Sequence, residues 1–109
     1  MSPTFYESGR DFEYRVMAYL RKRGYLYVTR SAGSHGIIDI HAAKRLESSS
    51  IKLAVQAKHG KSPFGPEDAD LLIEWARAFE AIPILASNDK DGHIVTSRVT
   101  KTGLSAIAV

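Results

Sequence analysis

Hydrophobic and polar positions along the chain change period several times, and each change marks an element. Phe12, Val16, Met17 and Leu20 recur at helical spacing behind Ser8-Gly9-Arg10-Asp11, where Ser8 reads as an N-cap and Asp11 as its capping-box acid. This helix is predicted to run to about Arg23, with Gly24 as its C′ residue and Arg21, Lys22 and Arg23 against the negative end of its dipole. Tyr25 to Arg30, rich in aromatic and β-branched residues, predicts a strand. Ile37 to Lys44 and Ile51 to Lys58 predict two more, joined by the polar Arg45-Leu46-Glu47-Ser48-Ser49-Ser50 as a hairpin loop. Pro66, Glu67 and Asp68 open a second helix, predicted to reach about Glu80, with Leu71, Leu72, Trp75, Ala76 and Phe79 as its apolar face. Ile82 to Ser87 is almost continuously apolar, as in a strand buried on both faces, and a short strand from His93 to about Val99 follows the Asn88 to Gly92 turn. The order αβββαββ predicts an α/β fold, a small mixed five-stranded sheet flanked by helices. Lys101 to Val109 is too short to assign.

The central hairpin carries the candidate chemistry. Folding it symmetrically about Glu47 and Ser48 sets Asp39 opposite Gln56, and facing residues on antiparallel strands have Cβ atoms about 5 Å apart. Alternation points Gln56 and Lys58 the same way, with Ile51, Leu53, Val55 and Ala57 on the other face. On the first strand Ile38, Ile40 and Ala42 are expected on one face, Asp39 and His41 on the other. Two oxygen donors and an ammonium then converge, which suits a divalent ion held against a phosphate. His41 reads as a partly buried histidine with a backbone partner. Glu13 lies on or beside the buried stripe of the first helix and needs a cation or a metal, Arg10 and Arg15 being the nearest in sequence. Ser31 to Gly36 combines glycines and serines just before Asp39, a loop able to approach a sugar-phosphate backbone or simply to turn. His59 and Lys61 fall in a second loop beside the site, placed to touch phosphate. Trp75 and Phe79, one turn apart, read from the sequence as core.

Composition narrows this picture. The 109 residues, 44% hydrophobic, fit one domain over 1–109. Cysteine is absent, which leaves oxygen ligands for a metal. No run is long enough to span a bilayer and no leader is evident at Met1, so a soluble intracellular protein is expected, in a prokaryotic cytoplasm or a virus-infected host. The net charge of +3 is unevenly placed. Arg10, Arg15, Arg21, Lys22, Arg23 and Arg30 crowd the first third, whereas Glu67, Asp68, Asp70, Glu74, Glu80, Asp89 and Asp91 dominate the stretch from Glu67 to Asp91. The first half and hairpin are therefore expected to face nucleic acid or another anion.

Asp39, Gln56-x-Lys58 and an acid on the preceding helix resemble the PD-(D/E)XK nuclease superfamily. The longer run Gly9-x-x-x-Glu13, Gly24-Tyr25, Val28-x-Arg30-Ser31-Ala32-Gly33-Ser34, Asp39, Gln56-x-Lys58, Leu72-Ile73-Glu74-Trp75-x-x-x-Phe79 and Ile82-Pro83-Ile84-Leu85-Ala86 is similar to the archaeal-type Holliday junction resolvases, a type also found in viruses and phages. The resemblance implies a restriction-endonuclease-like fold and a homodimer that nicks two opposing strands of four-way junction DNA, using Mg²⁺ or Mn²⁺ and no small-molecule cofactor. It implies Glu13, Asp39 and Lys58 as catalytic acid, metal-binding aspartate and catalytic lysine. Gln56 and the Ala57 carbonyl complete the metal ligands, and Ser34 lies near the scissile strand. Arg10, Arg15, Arg30, Ser31, Gly33, His35, His59 and Lys61 are then expected on DNA, and Leu72, Trp75 and Phe79 at a dimer contact.

Two departures qualify the match. Gln56 stands where such enzymes usually carry Glu, a weaker ligand for a divalent ion, although Mrr-like restriction enzymes are similar in having Gln-x-Lys. Tyr14 stands where an arginine is usual, and Arg10 or Arg15 is the expected substitute. A nuclease acting on duplex or flap DNA, and a non-catalytic junction-binding module, are the alternatives.

Overall fold

The computed structural model describes residues 7–31, 36–60 and 62–109. The first helix, α1, spans Gly9–Lys22, and Ser8 caps it by accepting the Asp11 amide at 3.1 Å. Gly24 follows its end with φ +95°, the left-handed geometry expected of a C′ glycine. Strands β1 (Tyr27–Arg30), β2 (Ile40–Arg45) and β3 (Ser50–Ala57) form an antiparallel meander. Helix α2 (Pro66–Ala78) then crosses over to β4 (Ile82–Asn88), which lies parallel to β3, and β5 (Ile94–Thr100) and β6 (Gly103–Ala106) continue antiparallel. Among the described residues the sheet is six-stranded, in chain order. It has the mixed α/β layering expected, with one strand more.

That extra strand is β6, on which every residue is exposed. A strand with no buried face carries no apolar alternation, so nothing in the residues announced it. Beyond it the chain folds back, with Thr96 Oγ1 donating to the Ile107 carbonyl at 2.7 Å and the Ile107 amide to the Thr96 carbonyl at 3.2 Å. Ile107 and Val109 pack on the core beside α1.

Each face of the sheet has its own core. On one, Phe12, Val16, Met17 and Leu20 of α1 pack on Val28, Ile40, Ala42, Leu53, Val55, Ile84 and Ala86. On the other, Leu72 and Ala76 of α2 pack on Ala54, Leu85 and Val99. Ile38 joins this second core, not the face of Ile40 and Ala42 as alternation predicts. It lies outside β2, two residues before Ile40 and directly after the bend at Ile37, so strand alternation does not govern it. Leu72 is wholly buried, which removes it from any subunit contact. Leu71, Trp75 and Phe79 are instead 45%, 48% and 47% exposed, one stripe on the outer side of α2, so the core expectation for Trp75 and Phe79 does not hold. No helix among the described residues is long and apolar enough to cross a membrane.

Glu80 closes α2 with φ 56°, a left-handed conformation unfavourable to a residue with a Cβ. Its amide donates to the Arg77 carbonyl at 3.0 Å and that of Ala81 to the Ala76 carbonyl at 2.8 Å, the position usually taken by glycine. Glu80→Gly is expected to stabilise the fold by about 0.5 kcal/mol, read as a higher Tm in thermal denaturation. The pair it removes, Lys52 with Glu80 at 3.9 Å, is too exposed to offset this.

Candidate active site

The hairpin register is the one the sequence predicts. Ile40 faces Val55 and Arg45 faces Ser50, so Asp39, one step before β2, comes level with Gln56. Asp39 is fixed on both sides by backbone bonds. Its amide donates to the Val55 carbonyl at 2.8 Å, and its carbonyl accepts the Ser31 amide at 2.8 Å. One carboxylate oxygen, Oδ2, accepts the Ala57 amide at 2.8 Å. The side chain is thereby held at the mouth of β3 with its other oxygen uncommitted among the described residues.

Burial pushes the Asp39 carboxyl up to about 6 from an ordinary 3.8, against the lowering effect of the Ala57 amide. Glu13 raises it further, while Lys58 and Arg30 lower it. Glu13 on α1, Arg30 on β1 and Lys58 just after β3 thus all act on Asp39 at this end of the sheet. Gln56 is 7% exposed, and its Oε1 is a buried acceptor with no partner among the described residues. Leaving such an atom unsatisfied is costly, so it marks a place where a cation or ordered water belongs. Carboxylate oxygens and an amide oxygen form a donor set suited to a hard divalent ion.

Glu13 finds its cation far along the chain. Arg30 Nε donates to Glu13 Oε1 at 2.7 Å, in place of the pairing with Arg10 or Arg15 expected from proximity in sequence. Arg15, expected on DNA, serves the fold: it binds Glu7 at 2.9 Å, donates to the Gly92 carbonyl at 2.8 Å and lies over the Phe12 ring. Tyr14 is half-exposed and faces the Arg30 guanidinium, whose carbon is 5.5 Å from the ring centroid. Arg10 is exposed on the first turn of α1. His59 stacks on Phe12 with centroids 5.5 Å apart, and His41 meets the edge of Phe79 at 4.9 Å, an aromatic partner in place of the backbone one expected. Gly33, Ser34, His35 and Lys61 lie outside the described residues.

Asn88 was not legible as a site residue. Its Oδ1 accepts the Gly60 amide at 2.7 Å and so ties the chain after Lys58 to the end of β4. An asparagine ahead of a turn is ordinary, and no signal distinguishes it. Asp89, Asp91 and His93 bring ligand atoms together on the same turn. The turn accounts for part of that grouping, since Asp89 Oδ1 accepts the amides of both Asp91 and His93 at 2.9 Å.

The fold is similar to that of Hjc, a Holliday junction resolvase from the archaeal hyperthermophile Archaeoglobus fulgidus, with a TM-score of 0.67. The two share 23% identity over 91% of this chain and 87% of that one. No curated protein matches the sequence. The family of restriction endonucleases represented by the Mrr catalytic domain matches residues 6–102, nearly the whole chain. The residues converging at the end of β3 therefore sit in a nuclease fold, and the chain belongs to this restriction endonuclease family.

Proposed function

We propose that the chain, one nuclease domain over residues 1–109, is a Holliday junction resolvase that makes paired, metal-dependent nicks in four-way DNA junctions. The observation that carries the reading is the set Glu13, Asp39, Gln56 and Lys58 near one end of β3, with the Gln56 oxygen buried and without a partner among the described residues. Asp39, Gln56, Glu13 and the Ala57 carbonyl would hold the ion, Mg²⁺ or Mn²⁺. Once bound, a divalent ion activates water and neutralises charge on a phosphodiester. Lys58 orients the attacking water and stabilises the negative charge that develops on the phosphate oxygens. Asp39, locked by three hydrogen bonds, keeps its carboxylate aimed without reorganisation. Arg30 and Arg10, with His59 and the sequence-assigned Gly33, Ser34, His35 and Lys61, supply phosphate contacts. The fold's likeness to Hjc supports the choice of a junction over other DNA.

A junction offers two symmetry-related strands, and one chain offers one site, so the reading includes a homodimer. It is supported by the Leu71, Trp75 and Phe79 stripe and by a cleft of about 270 Å³ beside it, lined by Tyr27, Thr29, His41, Lys52 and Phe79 among others. Trp75→Asp is expected to convert a dimer into monomers in sedimentation velocity and to replace paired nicks by single ones. A dimer that survives the substitution would rule out this face.

The deciding experiment is cleavage of an end-labelled immobile junction beside a duplex of the same arm sequence, with Mg²⁺, Mn²⁺ or chelator. Paired, metal-dependent nicks on the junction alone are expected. Equal cutting of the duplex would assign the chain to duplex-acting nucleases. Tight junction binding without cutting would make it a binding module, the outcome for which the neutral Gln56 is the specific motive.

A further inference from the structure

The Glu13 to Arg30 pair sets a condition on how the site fills. A carboxylate oxygen holding a charge-assisted hydrogen bond at 2.7 Å is not free to ligate a cation until that bond is exchanged. Arg30 is held from a second side by the Tyr14 ring. With Arg30 and Lys58 set against Glu13 and Asp39, the protein balances its own two carboxylates. A guanidinium that is 38% exposed can nevertheless be drawn outward, and a backbone phosphate is the acceptor best matched to its fork. Once Arg30 leaves, two carboxylates face one ammonium, and the site attracts a divalent ion more strongly.

We propose that Arg30 occupies Glu13 until a DNA phosphate takes it, so that DNA and metal enter the site cooperatively, and that Tyr14 positions Arg30 for this exchange. The inference rests on the nuclease reading above and adds an order of assembly to it. Tyr14 then has a use of its own: its ring parks the arginine without adding a charge.

The test measures Mn²⁺ affinity of the DNA-free protein by electron paramagnetic resonance, with Arg30→Gln and Glu13→Gln, singly and together. Arg30→Gln is expected to tighten Mn²⁺ about 5- to 50-fold, within the range of ordinary site coupling. In the Glu13→Gln background the same change is expected to do little. Equal tightening in both backgrounds would show that Arg30 acts only as a nearby charge and would overturn the proposal, as would no tightening or no Mn²⁺ binding. Arg30→Lys, which keeps the charge and loses the fork, is expected to fall between wild type and Arg30→Gln, and gives an independent reading should Arg30→Gln fold poorly. Tyr14→Ala is expected to tighten Mn²⁺ to a lesser degree, and Tyr14→Phe to fall between Tyr14→Ala and wild type, because the Tyr14 hydroxyl also acts on Arg30.

The reciprocal arm reads anisotropy of labelled junction and labelled duplex with Ca²⁺ or chelator. Coupling is symmetric for binding free energies, so Ca²⁺ should tighten DNA binding in wild type and have little effect in Arg30→Gln. Persistence of the Ca²⁺ effect in Arg30→Gln would overturn the exchange. Equal affinity for duplex and junction would count against the junction reading alone and leave the coupling standing.

Discussion

Asp39→Asn is expected to abolish cleavage, retain DNA binding and make the protein more stable at neutral pH. On the proposed reading, loss of the Asp39 carboxylate from the metal site removes several kcal/mol of transition-state stabilisation, hence about a thousandfold or more in rate. Asparagine keeps the shape and can still accept the Ala57 amide, so the local fold survives. The stability gain follows from burial. The folded protein holds the Asp39 proton up to about pH 6, whereas the unfolded chain releases it near 3.8. Because the folded pKa is the higher one, stability from this group is fully present below about pH 4. It is lost as pH rises towards 6 and stays lost above that. Asparagine has no such loss. Thermal melts should show the variant level with wild type at pH 4 and higher by pH 7, by about 1–2 kcal/mol once the partial exposure of the carboxylate is discounted. For a chain of this size that is a Tm rise of roughly 4–10 °C. A variant that still cuts at the wild-type rate would remove Asp39 from the site. One that is less stable at neutral pH would show that the carboxylate is not strained by its burial.

Gln56→Glu is the second large effect, and its sign depends on metal. The side chain is 7% exposed and level with Asp39, with Glu13 also acting on that carboxylate, so a glutamate there adds a third acid to a partly desolvated site. Without metal the variant is expected to be destabilised by about 1–3 kcal/mol, through desolvation and like-charge repulsion. With Mn²⁺ or Mg²⁺ the extra charged ligand strengthens binding, and metal bound only by the folded state restores stability by mass action. The expected result is a lower Tm than wild type in chelator, a larger rise on adding metal, and cleavage at a lower Mg²⁺ concentration. If both proteins rise equally with metal, position 56 does not contact the ion. Cleavage gained by the variant from an inactive wild type would instead identify the native protein as a binding module.

The parts of the molecule legible in its sequence are those set by short periods. The hairpin register from Ile40 and Val55 to Arg45 and Ser50 followed from two apolar runs of matched length about a polar loop. Both helices followed from Ser8, Gly24 and Pro66, as did the caps of the first, whereas the Gly65 N-cap and Phe79 C-cap of the second did not. Partners that meet only through tertiary folding did not. Glu13 was assigned to near neighbours, yet it meets Arg30 because β1 returns beside α1. On α2, Leu71 and Leu72 are equally apolar and adjacent. Which of them is buried depends on how the helix docks, a choice that a 100° step between residues leaves open. His41 likewise gained Phe79 from a distant helix, a contact no local pattern announces.

The two cores described above meet on the central strands β3 and β4, the latter giving Ile84 and Ala86 to one and Leu85 to the other. β3 gives Leu53 and Val55 to one and Ala54 to the other, and it is paired on both edges, antiparallel to β2 and parallel to β4. Its buried part, Leu53 to Gln56, is bonded to a neighbouring strand at each edge and covered on both faces, so its amides are expected to exchange with deuterium mainly through global unfolding. Gln56, Ala57 and Lys58 extend from this most protected segment, with the Lys58 amide held to the Ala86 carbonyl at 2.9 Å. Glu13 and Arg30 come instead from α1 and an edge strand. The site therefore joins residues of a strand paired on both edges to one from an edge strand, and on the proposed reading local opening at this centre is expected first on the Arg30 side.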